Sequence, residues 1–420
     1  YEFVFGDWSS DLCSSDLAGS LILTGDLVIS NGYVDGGYGS IDWQQSGDII
    51  WSDTGGSAGK IPVIKFNSNR TVTLGNHLVS EGIYLQDGML DVSASNYSIK
   101  TTRYWDASVC SAANPCLNAR SGKVTINLYT SNTTIYGASD SSGCIFYDLD
   151  ITGGHGASYT NFYNNWNISN DLLVNFAGDM EADGSTRFNV TGDVTVQDGG
   201  AFELRNHNGE NPYWDIAGNL TMTGGKWNTR AGSFKMYVAG DVNLSNLIET
   251  ASSTAYIILD GTIDQTFYAD PTCKLPGYVQ FDKSSGVANV TGSGDYFNNI
   301  NIIDGDVFFA PGSYEFATGK TVSVAAGSSL VFNGTAPITM VTLREKDDGV
   351  NTWAIDNSAG GTVEAYFSDI KSSVVSTPSA LAYDSVNSGG NVNWMFINPG
   401  GVTLVDRKST RLNSSHRIRS

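Results

Sequence analysis

The sequence is short of positive charge. Its 420 residues carry 23 Lys and Arg against 43 Asp and Glu, a net charge of −20. Charged residues of both signs reach only 16 %, against a usual share of about 25 %. That balance repels a polyanionic backbone and argues against nucleic acid or an anionic membrane as partner. Long apolar runs are missing as well, so no stretch of about 18 residues reads as a membrane span. Cysteine (5) and histidine (4) are scarce, and no Cys/His spacing resembles a zinc site. No stretch holds a 3.6-residue apolar period, which leaves helix nearly absent. No nucleophile elbow and no plausible Ser/His/Asp set are read, and pairs such as Gly199-Gly200 have no phosphate-loop context. No catalytic, cofactor-binding or metal-binding residue is therefore assigned, and no cofactor is expected.

Glycine (48) is plentiful, and aromatic residues, at 11 %, supply ample surface to bury. The organising stretch is 170–246, where a short phrase returns. It reads Phe176-Ala-Gly-Asp-Met180, Val190-Thr-Gly-Asp-Val194, Ile216-Ala-Gly-Asn-Leu220 and Val238-Ala-Gly-Asp-Val242. Its glycines stand at 178, 192, 218 and 240, in steps of 14, 26 and 22 residues. A step near 20 residues with short alternating strands and Gly/Asn/Asp corners is the signature of a β-solenoid. The alternation puts Val194, Val196, Leu220, Met222, Val242 and Leu244 inside, and Thr195, Thr221 and Asn243 outside. An earlier copy is Leu23-Thr-Gly-Asp-Leu27.

A longer repetition overlies the short one. Gly47–Asp53, Lys60-Ile-Pro, Phe66-Asn-Ser and Tyr84–Gly88 are echoed by Gly261–Asp270, Lys274-Leu-Pro, Phe281-Asp-Lys and Ile302–Gly305. The offsets from 53 to 270 and from 60 to 274 are 217 and 214 residues. Of the cysteines, Cys110 and Cys116 would close a short loop, as a disulfide or as two free thiols.

Both ends stand apart. Asp406–His416 resembles the translation of a common DNA-sequencing adapter, and Asp7–Leu17 resembles that of its reverse complement, departing only at Leu12. With these set aside, 18–405 is expected to be an open-ended piece of a longer gene. The basic cluster Arg407, Lys408, Arg411, Arg417 and Arg419 then carries no meaning for binding. The expected divisions are an adapter-derived 1–17, a β-solenoid over 18–345 in about two superrepeats, a terminal β-module over 346–398 continuing the stack, and a largely adapter-derived tail over 399–420.

In the last division, Thr352–Asp356, Tyr366–Ser373 and Asp384–Trp394 resemble a module near the ends of repeats in large bacterial surface proteins. Together with the upstream phrases, most of 18–396 resembles long β-helical, adhesin-type secreted proteins. The resemblance implies a right-handed parallel β-helix, an extracellular or cell-surface location, and an adhesive or structural role. Surface glycans or neighbouring surface proteins would be the partners.

The same scaffold serves polysaccharide lyases and hydrolases, which need convergent carboxylates or Ca²⁺ beside a base. The best local cluster for that alternative is 202–215, with Glu203, Arg205, His207, Glu210 and Asp215 in the longest step of the core repeat. The competing reading is a solvated loop with Tyr213 and Trp214 tucked against the stack. A carbohydrate-binding spacer using exposed Trp and Tyr lies between the two. His77 and His155 read as surface polar residues. Asp347-Asp348-Gly349 and Asp179, Glu181 and Asp183-Gly184 match no calcium-loop spacing.

Overall fold

The computed structural model describes residues 3–5, 20–23, 27–29, 40–43 and 49–53, then 63–397 except 130–132, 155–158, 183–185, 199–202, 207–211, 228–232, 250–253, 293 and 348–350. The adapter-like stretches 7–17 and 406–416 lie outside the described residues. The fold is all-β: no helix occurs among the described residues, and parallel strands stack as a β-solenoid of about 12 turns. The chain divides into two compact units, 1–240 with 247–255, and 241–246 with 256–420.

In the first unit each coil lays down three short strands, and each strand pairs in parallel with its equivalent one coil on. The first row runs Asp148–Gly153, Leu172–Phe176, Val194–Asp198 and Leu220–Met222. A second row runs Tyr159–Tyr163, Asp179–Ala182, Glu203–Asn206 and Lys226–Trp227. The third is Cys144–Phe146, Asn165–Ile168, Arg187–Val190, Tyr213–Ile216 and Phe234–Val238. Alternation decides what each strand buries. Val194, Val196, Leu220 and Met222 are at most 1 % exposed, and Thr195 and Thr221 between them face out. The expected inward set holds in the second unit too, where Val242 and Leu244 are buried and Asn243 is exposed.

The corner phrase has a steric cause. Gly192 packs so closely on the coil below that an added Cβ would stand 2.5 Å from the Asn170 carbonyl oxygen. At Gly218 the same atom would meet the Gly192 oxygen at 2.3 Å, and at Gly240 the Gly218 oxygen at 2.4 Å. The amides close the contact: Gly192, Gly218 and Gly240 donate to Asn170, Gly192 and Gly218 at 2.8, 3.1 and 3.0 Å. The following acid continues the ladder, because Asp193 N donates to Asp171 Oδ1 at 2.9 Å and Asn219 N to Asp193 Oδ1 at 2.8 Å.

This geometry corrects one copy of the phrase. Gly178 belongs to the turn before Asp179–Ala182 in the second row; the residue under Gly192 is Asn170. The true step there is 22 residues, followed by 26. The apparent 14-residue step joined corners of two different rows.

The interior of the third row is a stack of large rings. Trp166 lies on Phe188 at 5.8 Å and 12°, and Phe188 on Trp214 at 4.8 Å. Phe146 continues the stack on Trp166 at 5.9 Å. Aromatic contacts of this kind add about 0.5–1.5 kcal/mol beyond their buried area. A half-exposed ion pair pins an earlier coil: Arg120, itself exposed, grips the buried Asp91 with Nε–Oδ1 2.7 Å and Nη2–Oδ2 2.8 Å. The Cys110–Cys116 pair is a disulfide, with Cα atoms 5.7 Å apart, while Cys144 and Cys273 are buried thiols.

The second unit opens on Val242–Leu244, which pairs with Gln265–Ala269. Its long strands Tyr278–Val290 and Asn299–Phe309 pair with register shifts at Phe281/Asp282 and Asp282/Val287. In the first unit Val63–Leu74 and Leu78–Asp91 pair with shifts at Phe66/Asn67 and Asn67/Thr71. Gly88 and Gly305, at the matching register shifts, both have positive φ, 77° and 93°. Lys283 is buried beside this irregularity, its ammonium donating to Gly261 O, Ile263 O and Gln265 Oε1 at 2.7–2.8 Å. Desolvation pulls its pKa below the ordinary lysine value. A separate ladder of four strands, Gly312–Phe316, Val341–Glu345, Ser368–Ile370 and Val386–Asn387, completes the unit.

Gly218→Ala should lose about 1–3 kcal/mol, because backbone rather than a flexible side chain blocks the new methyl. Gly327→Ala is the comparison: its added Cβ meets nothing within 4 Å and only a φ of 82° opposes it. Thermal unfolding of the two variants should show the larger loss at 218. Equal losses would remove close coil approach as the reason for the corner glycine.

Candidate functional site

Outward positions of the third row form a polar groove of about 560 Å³. Register builds it: Ile145, Asn167 and Asn189 stand one above another, and so do Asn165, Arg187 and Tyr213. The strand interior behind them is the Trp166–Phe188–Trp214 stack, so the floor cannot collapse inward. Asp140 and Ser141 flank one side, with Ser169 and Thr191 at the corner.

A chain of amides crosses the groove. Asn189 Nδ2 donates to Asn167 Oδ1 at 2.7 Å, and Asn167 Nδ2 donates to the Asp140 carbonyl at 3.3 Å. Asn165 spends its Nδ2 on the carbonyls of Ala138 and Ser139, at 3.3 and 3.2 Å. Arg187 donates to the Tyr213 hydroxyl, and its guanidinium carbon stands 4.5 Å from that ring's centroid. Tyr213 is half-buried and Arg187 exposed.

Asp140 is committed to its own loop. Its carboxylate accepts the Ala112 amide at 2.7 Å and the Ser142 amide at 2.9 Å. The Ala112 bond, then that of Ser142, holds its pKa below the ordinary carboxylate value. Such a group stays ionised at neutral pH and is poorly suited to deliver a proton. What the groove offers is hydrogen bonding, one cation, one ring edge and, at its flank, the committed carboxylate of Asp140.

Around the corner lies a second groove, of about 330 Å³, lined by Asp148, Asp150, Asp171 and Asp193 with Lys123. Lys123 Nζ reaches Asp150 at 3.1 Å. Asp148, Asp171 and Asp193 are aligned because each accepts at the corner from the coil above, while Asp150 stands within the strand. Among the described residues no group of three or more His, Cys, Asp or Glu is placed to hold a metal. No helix there is long and apolar enough to cross a membrane.

The residues singled out in 202–215 fall on two rows. Glu203 and Arg205 have their backbones in the second, paired with Asp179 and Glu181; Asp215 is exposed in the third, paired with Asn189 and Tyr237. His207 and Glu210 lie outside the described residues. Trp214 is buried, as read from the sequence, but Tyr213 lines the groove instead of tucking against the stack. His77 is exposed and bonds Ser98, whose backbone amide donates to Nδ1 at 3.0 Å; His155 lies outside the described residues. Glu181 is buried and Asp347 donates its amide to Glu345; Asp183, Gly184, Asp348 and Gly349, and the side chain of Asp179, lie outside what is described. Asn165, Arg187 and Asn189 escaped the sequence reading, since they meet only when coil lengths are known. No family model matches the chain, and neither a curated protein nor a solved structure does.

Two outcomes follow from these acids. A lowered folded pKa stabilises at pH above the unfolded carboxylate value, about 3.9, and that stabilisation disappears as pH falls through the folded value. Hydrogen-exchange protection of Ala112 and Ser142 should therefore hold near neutrality and be lost well below pH 4, whereas in Asp140→Ala it should be weak at every pH. Protection unchanged in that variant would show that the carboxylate does not order the loop. Asp171→Asn keeps the corner acceptor and removes one of the aligned charges, as Asn219 does naturally two coils on. It should raise the melting temperature by about 1–3 °C at low salt, with the gain shrinking as salt screens the row; a lower melting temperature would refute the repulsion.

Proposed function

We propose that the chain is a structural and adhesive segment of a secreted bacterial cell-surface protein, holding surface glycans or neighbouring surface proteins without turning them over. The observation that carries this reading is the third-row groove, where amides and a guanidinium are fixed by the protein's own hydrogen bonds over a rigid aromatic interior. Preorganised polar groups of that kind bind without a large ordering cost. The Cys110–Cys116 disulfide supports an oxidising compartment, and a net charge of −20 supports solubility outside the cell while disfavouring nucleic acid. Cleavage of a polysaccharide needs an acid and a base or nucleophile about 5–9.5 Å apart. In this groove Asp140 is tied to the Ala112 loop, and Asp215 stands one coil further on.

Beads coated with the protein should adhere to glycan-bearing cell surfaces, while polysaccharides incubated with it should release no reducing ends or unsaturated sugars. Sustained release at a rate proportional to protein concentration would replace the adhesive reading with the enzymatic one. Beads no stickier than albumin-coated controls would remove adhesion altogether.

A further inference from the structure

We propose that the third-row groove recognises a sugar bearing a single carboxylate, set among neutral neighbours, with Arg187 as the residue that reads the acid. This deepens the adhesive reading and rests on it. The first observation is an imbalance. In a chain with nearly twice as many acidic as basic residues, Arg187 makes no ion pair among the described residues. Its contacts are the hydroxyl and ring of Tyr213, which orient the guanidinium and leave its charge uncompensated. A planar fork held in that way matches a carboxylate with two parallel hydrogen bonds, which a lysine ammonium cannot reproduce.

The second observation is the pattern of acceptors on either side. By register Asn165 lies beside Arg187 one coil below, and Asn189 lies two residues along the same strand. Both have used their amide nitrogens on protein acceptors, and neither Oδ1 has a hydrogen bond among the described residues. Two carbonyl acceptors flanking a cationic donor suit a ligand that presents hydroxyl donors on both sides of an anion. Uronic and sialic acids have that arrangement, and a simple carboxylic acid lacks the hydroxyls. The ring face of Tyr213 is taken by Arg187, so selectivity comes from the charge and the hydroxyls rather than from stacking.

The third observation limits the density of charge. Thr191 lines this groove and Asp193 the acidic one, so only the corner at Gly192 separates Arg187's groove from a row of carboxylates. A dense polyuronate would run into that row; an isolated acidic residue would not.

The test uses the whole chain and isothermal titration with glucuronic acid, N-acetylneuraminic acid, glucose and a polygalacturonate oligomer, alongside bead adhesion. Binding of either acidic monosaccharide at least ten-fold tighter than glucose, weakened by salt, is expected. Arg187→Ala should lose at least ten-fold, and Arg187→Lys should recover only part of it. Asn189→Asp, which places a competing carboxylate beside the guanidinium, should lose binding while the melting temperature stays near that of the parent. Glucose bound as tightly as glucuronic acid, polygalacturonate bound best, or an Arg187→Ala variant with full affinity would each overturn the proposal. Beads that adhere equally well with Arg187→Ala would also overturn it while leaving the adhesive reading intact; beads that never adhere would overturn that reading itself.

Discussion

Close approach of one coil to the next is the constraint on which the rest of the first unit depends. At the corner under Gly218 the backbones come so near that no side chain fits, and the amide of each glycine is spent on the coil below. That contact sets the register of the three rows. With register set, apolar residues meet apolar residues on the inside, ring falls on ring at Trp166, Phe188 and Trp214, and outward residues line up in columns. A slip of one residue would turn every column over. The corner glycines therefore act as spacers for the whole stack, and the aspartates after them complete its hydrogen bonding.

This also explains the composition. An aspartate at the corner has a backbone amide one coil up within reach of its carboxylate, as Asp171 and Asp193 do. Repeating the corner repeats the acid, so part of the net charge of −20 follows from how the coils are joined. The cost is a column of like charges on the first row. Asn219 relieves it locally, because its amide can donate to Asp193 at 3.1 Å as well as accept. Against that background the third row differs in kind, since its outward columns hold, beside Asp215, the neutral Asn165, Asn167, Asn189 and Tyr213 and an arginine without an ion pair among the described residues.

Much of the fold was legible in the sequence because the corner and the strand are both local. Alternation at Val194–Val196 and Leu220–Met222 placed the inward residues correctly, and the Gly-Asp phrase marked three true corners. It failed at Gly178, where the same letters serve a different turn, and at Asn170, where the corner is made without glycine. There the side chain of Asn170 turns to the coil below, its Nδ2 donating to Asp148 Oδ1 at 2.8 Å, so the corner has two spellings. The groove was hidden for another reason. Asn165, Arg187 and Tyr213 are 22 and 26 residues apart, and only the unequal coil lengths bring them into one column.

The unequal step matters for more than spacing. Of the coils in this stretch, the one between Arg187 and Tyr213 is longer by four residues than that between Asn165 and Arg187. Had it been of equal length, residue 209 would have followed Arg187 in the column, and that residue is glycine. The longer coil puts a ring there instead, and the ring is what holds the guanidinium in place. The four extra residues deliver Tyr213 to a column built by other coils. In a solenoid, where columns are read across the stack, a change in coil length can alter a binding surface without changing a residue already in it.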